Sequence, residues 1–131
     1  MPAVLIDSSV LIALLDPNDR HHQRSVNLIL NEDFKIQAAT ISITECLIRP
    51  FRFESYFAYL VLENIELIIE LFHDLNRTIA FDAARIRATK NLATVDSIIL
   101  ATAEYLNIQL WSCDKKMVNS TKNSLYLGKL D

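Results

Sequence analysis

Short apolar runs alternate with stretches of helical periodicity along the whole chain. The first run, Ala3-Val4-Leu5-Ile6, has the length of a buried strand. A short helix is expected from Ser9 to Leu15, ended by the turn cluster Asp16-Pro17-Asn18-Asp19. A second helix should run from about His21 to Asn31, with Val26, Ile29 and Leu30 on its apolar face, followed by a strand from Lys35 to Thr40. A third helix begins near Ser42 and is apolar from Ile43 to Ile48, and Pro50 is expected to stop it. Phe53 to Glu63 reads as a further helix, with Tyr56, Tyr59, Leu60 and Glu63 at helical spacing. The run from Ile65 to Leu71 could extend that helix, but its isoleucines and the placement of Glu66 and Glu70 favour an edge strand. Two more helices are expected, from about Leu75 to Lys90 with Ile79, Ala83 and Ile86 on one side, and from Thr94 to Leu106. Strands follow at Ile108 to Trp111 and at Leu125 to Leu127. This alternation predicts an α/β fold with a mainly parallel sheet. No linker, repeat or low-complexity segment interrupts it, so residues 1–131 are expected to form one domain.

Composition narrows the function classes. Hydrophobic residues make up 51% of the chain, enough to suggest that a partner covers some apolar surface. No apolar stretch approaches the roughly 20 residues of a membrane span, and no signal peptide is visible, so no membrane role and a cytoplasmic location are expected. The two cysteines, Cys46 and Cys113, then read as reduced thiols. A net charge of −3 argues against a protein that coats nucleic acid, but leaves room for a nuclease whose metal ions neutralise an acidic pocket. Gly128 is the single glycine, which excludes glycine-rich phosphate loops.

Four acids stand where strands should end or helices begin: Asp7, Glu45, Asp96 and Asp114. Each has a local explanation. Asp7 could cap the first helix. Ser42-Ile43-Thr44-Glu45 matches a capping box. Asp96 lies in a first helical turn, where the macrodipole favours negative charge. Asp114 could be a turn acid beside Lys115 and Lys116. These readings leave the coincidence unexplained, because in a right-handed parallel sheet all four positions gather at one edge. Four carboxylates there would repel one another unless cations held them, and an oxygen-only cluster suits Mg²⁺ or Mn²⁺. The chemistry that follows is metal-assisted phosphodiester hydrolysis.

Four segments, Asp7-Ser8-Ser9-Val10-Leu11-Ile12-Ala13-Leu14-Leu15, then Thr44-Glu45, Asp96-Ser97-Ile98-Ile99-Leu100-Ala101-Thr102-Ala103 and Trp111-Ser112-Cys113-Asp114, together resemble a PIN domain. The order and spacing match over essentially the whole chain, and the size resembles stand-alone toxin ribonucleases of the VapC type. The resemblance implies a three-layer α/β/α sandwich with about five parallel strands. It also implies Mg²⁺- or Mn²⁺-dependent endoribonuclease activity on an RNA substrate, a homodimer, and a cognate antitoxin that blocks the site. It carries catalytic and metal-holding roles onto Asp7, Glu45, Asp96 and Asp114. The family usually has Thr two residues before the last acid, where this chain has Ser112 and keeps a hydroxyl. Ser8 keeps another beside the first acid, where it could orient a ligand or a water. The alternative in a different class is a non-catalytic PIN-like module that binds RNA or a partner. The first strand also resembles haloacid-dehalogenase-like phosphatases, but these need Asp where Ser9 stands.

Arg49 and Arg52 follow the helix bearing Glu45 and are the candidates for RNA phosphate contacts; Arg85, Arg87 and Lys90 more simply solvate a helix. His21 and His22 read as surface residues. Tyr56, Phe57, Tyr59 and Leu60 are core residues by default, although their density exceeds what one helix face needs and makes a dimer or antitoxin contact the second reading.

Overall fold

Five strands and seven helices alternate through the computed structural model, which describes residues 2–31 and 33–128. The strands are β1 (Ala3–Ile6), β2 (Lys35–Ala39), β3 (Leu71–His73), β4 (Gln109–Ser112) and β5 (Ser124–Tyr126). They form one sheet in the order β3-β2-β1-β4-β5, and every neighbouring pair is parallel. The helices are α1 (Ser8–Leu15), α2 (His22–Asn31), α3 (Ile41–Phe53), α4 (Ser55–Ile68), α5 (Arg77–Lys90), α6 (Thr94–Leu106) and α7 (Lys115–Asn119). The expected three-layer α/β/α sandwich is the fold observed.

The alternation of side chains along each strand creates the layers. Val4 and Ile6 of β1 join Ile36, Ala38 and Trp111 in a core shared with α1, α3 and α4. Leu5, Ala39 and Leu110 point the other way and pack with Ile79, Ile86, Ile99 and Leu100 of α5 and α6. Both faces of the central strands are covered, which is why those strands read as continuous apolar runs.

Three expectations are corrected. Pro50 does not stop α3, which continues to Phe53. It stands close enough to the C-terminal end for the helix to tolerate the lost N–H, and its carbonyl accepts the Glu54 N–H at 2.9 Å to close the last turn. The run from Ile65 to Leu71 is not a strand. Helix α4 extends to Ile68, and β3 begins at Leu71. A strand period would put Ile65, Leu67 and Ile69 on one face. Ile65 and Ile69 are buried whereas Leu67 is 84% exposed, so the spacing of four wins over the spacing of two. The capping box is also absent. Ser42 lies inside α3, whose N-cap is Thr40, and the Ser42 hydroxyl is buried without a hydrogen-bond partner. Helix α7, capped by Asp114, was not expected.

Helices α5 and α6 both end on asparagines in the left-handed region, Asn91 (φ 55°) and Asn107 (φ 53°). Asn tolerates this conformation better than most other residues with a Cβ. Asn107→Ala should therefore destabilise the protein by about 1 kcal/mol and Asn107→Gly should not, a difference readable in urea denaturation midpoints.

Candidate functional site

The carboxyl ends of β1 and β4 lie side by side, because Ile6 pairs with Trp111 and the Asp7 N–H donates to the Trp111 carbonyl at 3.1 Å. From β1 the chain goes to β2 on one side, and β4 lies on the other, so this is the point where strand order reverses and where open parallel sheets form their crevice.

Asp7 does two jobs here. Its Oδ1 accepts the Val10 N–H at 3.1 Å and so caps α1. The same oxygen accepts the Ser9 hydroxyl at 2.5 Å, and Oδ2 accepts the Ser112 hydroxyl at 2.5 Å. The carboxyl is 3% exposed. Burial pushes its pKa up to about 6, against the pull of the Ser112, Ser9 and Val10 hydrogen bonds, and the Asp96 charge adds to the rise.

Glu45 does not reach back to its own helix start. Its Oε1 accepts the Ser8 hydroxyl at 2.6 Å, which ties α3 to the first turn of α1. Asp96 is the third residue of α6, a place where the helix dipole alone would lower its pKa. It is raised instead, first by burial and then by the charges of Glu45 and Asp114, with Lys116 partly offsetting them. Asp114 is exposed and caps α7 by accepting the Lys116 N–H at 2.9 Å. Its own N–H donates to the Ser112 hydroxyl at 2.9 Å. The four acids from four separate segments are thus linked electrostatically: Asp7 with Asp96, and Asp96 with Glu45 and Asp114. They line one edge without closing into a shell, since among the described residues no three acidic, His or Cys side chains are drawn together tightly enough to hold a metal ion between them.

Sequence reasoning missed Ser9, whose hydroxyl also accepts the Cys113 N–H at 2.9 Å, and Lys116, whose charge acts on Asp96. The signal for Ser9 was available, since a serine two residues after a strand-end acid can reach back to it. Arg49 and Arg52 are both exposed, four and seven residues after Glu45 on α3, so they continue its face for about 6 and 10 Å. Arg85, Arg87 and Lys90 are engaged elsewhere, with Asp82, the Leu92 carbonyl and the Ser120 carbonyl. His22 bonds the Ala13 carbonyl through Nδ1 at 2.6 Å. Cys46 and Cys113 are free, buried thiols.

The sequence matches the PIN domain family over residues 4–122. The chain belongs to the PIN domain family. Solved structures carry the same fold at low identity. The Klebsiella pneumoniae toxin–antitoxin complex contains a chain 16% identical with a TM-score of 0.80, covering 97% of this chain and 99% of its own. Mycobacterium tuberculosis VapC20, described as a toxin that cleaves the sarcin–ricin loop, is 15% identical with a TM-score of 0.75, covering 89% of this PIN domain and 94% of its own chain. FitAcB from Neisseria gonorrhoeae is 16% identical with a TM-score of 0.75, covering 94% and 96%. No curated protein matches in sequence.

Among the described residues, no helix of this PIN domain is long and apolar enough to cross a membrane. A band of large apolar side chains stands open on α3 and α4. It includes Phe51, Phe53, Tyr56, Phe57, Tyr59 and Leu60, with Phe53 79% exposed. Phe53 and Phe57 pack edge to face at 5.8 Å, as do Phe51 and Tyr59 at 6.5 Å. The default assignment of Tyr56, Phe57, Tyr59 and Leu60 to the core is therefore corrected; α4 buries Ala58 and Ile65 instead.

Proposed function

We propose that this PIN domain is a Mg²⁺- or Mn²⁺-dependent endoribonuclease and the toxin of a type II toxin–antitoxin pair. The observation that carries the reading is the gathering of four carboxylates from four separate segments about the carboxyl ends of β1 and β4: Asp96 feels the charges of Glu45 and Asp114, and Asp7 feels that of Asp96. The donor set fits a hard cation, since every candidate ligand is a carboxylate oxygen.

Asp7, Asp96 and Asp114 would hold the cation directly or through waters. When bound, the cation supplies charge neutralisation and Lewis acidity at the scissile phosphate. Glu45 would help hold the attacking water: the Ser8 hydroxyl anchors Oε1, and Oε2 carries no hydrogen bond among the described residues. Ser112 keeps Asp7 aligned, and Arg49 and Arg52 would receive flanking phosphates of the RNA. The exposed aromatic band on α3 and α4 suits burial in a homodimer or under an antitoxin. Neighbours described as toxin–antitoxin complexes support such a partner.

The test is cleavage of a fluorescently labelled RNA by the purified chain. Cleavage should require Mn²⁺ or Mg²⁺ and stop with excess EDTA. Cleavage that persists in EDTA would refute the metal role. No cleavage, together with no calorimetric Mn²⁺ binding up to millimolar concentration, would favour the non-catalytic RNA- or partner-binding module.

A further inference from the structure

Three consecutive residues where β1 gives way to α1 address different parts of the site. Asp7 presents the carboxylate, the Ser8 hydroxyl goes to Glu45 on α3, and the Ser9 hydroxyl turns back to Asp7 and across to the segment after β4. Ser9 and Ser112 form two parallel bridges. Each hydroxyl accepts one backbone N–H, from Cys113 and Asp114 respectively, at 2.9 Å. A backbone N–H can only donate, so each hydroxyl turns its proton toward Asp7, one to Oδ1 and one to Oδ2.

A carboxylate has about four acceptor positions, two on each oxygen. Ser9 and the Val10 N–H occupy those of Oδ1, and Ser112 occupies one of Oδ2. One position is left, on Oδ2. We propose that Ser9 is a positioning residue: with Ser112 it locks the Asp7 carboxylate to the turn that carries Asp114, so that Asp7 offers a divalent cation the single open position on Oδ2. A cation would then meet one oxygen of Asp7, while Ser112 ties the Asp7 carboxylate directly to the Asp114 backbone and Ser9 ties it to the preceding residue, Cys113. This rests on the ribonuclease reading above for the cation itself, but not for the geometry of the two bridges.

Calorimetric Mn²⁺ titration of the full chain separates the two. Ser9→Ala should weaken Mn²⁺ binding about tenfold or more, the usual effect of losing a hydrogen bond that orients a ligand. Ser9→Thr, which keeps the hydroxyl, should restore it. Wild-type binding by Ser9→Ala overturns the role of Ser9 and leaves the ribonuclease reading standing. No Mn²⁺ binding by the wild type overturns both. Should Ser9→Ala fail to fold, wild-type crystals soaked in Mn²⁺ still decide the matter. Coordination through Asp7 Oδ2 alone is the expected result, and bidentate coordination or coordination through Oδ1 overturns the proposal.

Discussion

Asp7→Asn is expected to end RNA cleavage and, in the metal-free protein at pH 8, to raise stability. The buried carboxyl has its pKa moved from 3.8 to about 6, chiefly by burial. A group whose folded pKa lies above its unfolded value adds stability that is complete below the unfolded value, here about pH 4. That stability is lost as the pH rises through about 6. Above that pH, folding carries the buried charge at a cost on the order of 3 kcal/mol. Asn removes the charge and keeps most of the local bonds. Its Oδ1 can accept from Val10 and Ser9, and its amide can donate to the Ser112 hydroxyl in reversed polarity. Thermal melts in EDTA should show the variant ahead of wild type at pH 8 and nearly level with it at pH 4.5. With millimolar Mn²⁺ the order should reverse, because ligand binding stabilises only the chain that binds. A variant less stable than wild type at pH 8 in EDTA would show that the hydrogen bonds, and not the desolvated charge, dominate at this position.

Trp111→Ala is expected to cost about 3–5 kcal/mol, near the top of the range for a core truncation. Trp111 is 1% exposed, meets Phe34 edge to face at 4.9 Å, and donates its indole N–H to Gln109 at 2.8 Å. It also sits beside the site: its carbonyl holds the Asp7 N–H, and its neighbour Ser112 holds the Asp7 side chain. Urea denaturation followed by far-UV circular dichroism measures the loss. A change below about 1 kcal/mol would mean that the surrounding helices collapse into the space, which the close-packed interior argues against.

Which parts of this fold could be read from residues follows from their surroundings. β1 and α6 were legible because both are bounded by strong signals, Asp7 after an apolar run and Asn107 after a periodic one. β3 was not, because a strand of three residues is too short to display a period of two, and the isoleucines preceding it belong to a helix whose face repeats every four. α7 was missed for a similar reason, since five residues hold barely more than one turn. The positions of Asp7 and Asp114 followed from topology, since they stand just after the adjacent parallel strands β1 and β4, whereas Glu45 and Asp96 come from helices α3 and α6. What holds them was only half legible. Ser8 and Ser112 could be named as neighbours of acids, but Ser8 serves Glu45, a residue 37 positions away, and no local pattern discloses that pairing. The capping-box reading of Glu45 failed because Ser42 is buried inside α3 and cannot serve as its cap. The aromatic residues of α4 show the converse. Helical spacing identified the helix, but spacing alone does not say which side faces the sheet, and here the aromatic side faces out.

The strand order has one more consequence. β1 lies between β2, which comes before the middle of the chain, and β4, which comes after it. Severing the backbone at 91, between α5 and α6, would leave Asp7 and Glu45 with three strands on one piece and Asp96, Ser112 and Asp114 with two strands on the other. Neither piece owns more than two of the four acids. A polypeptide nicked there is a two-part lock: the proposed activity would become a matter of the fragments finding each other, and would depend on their concentration.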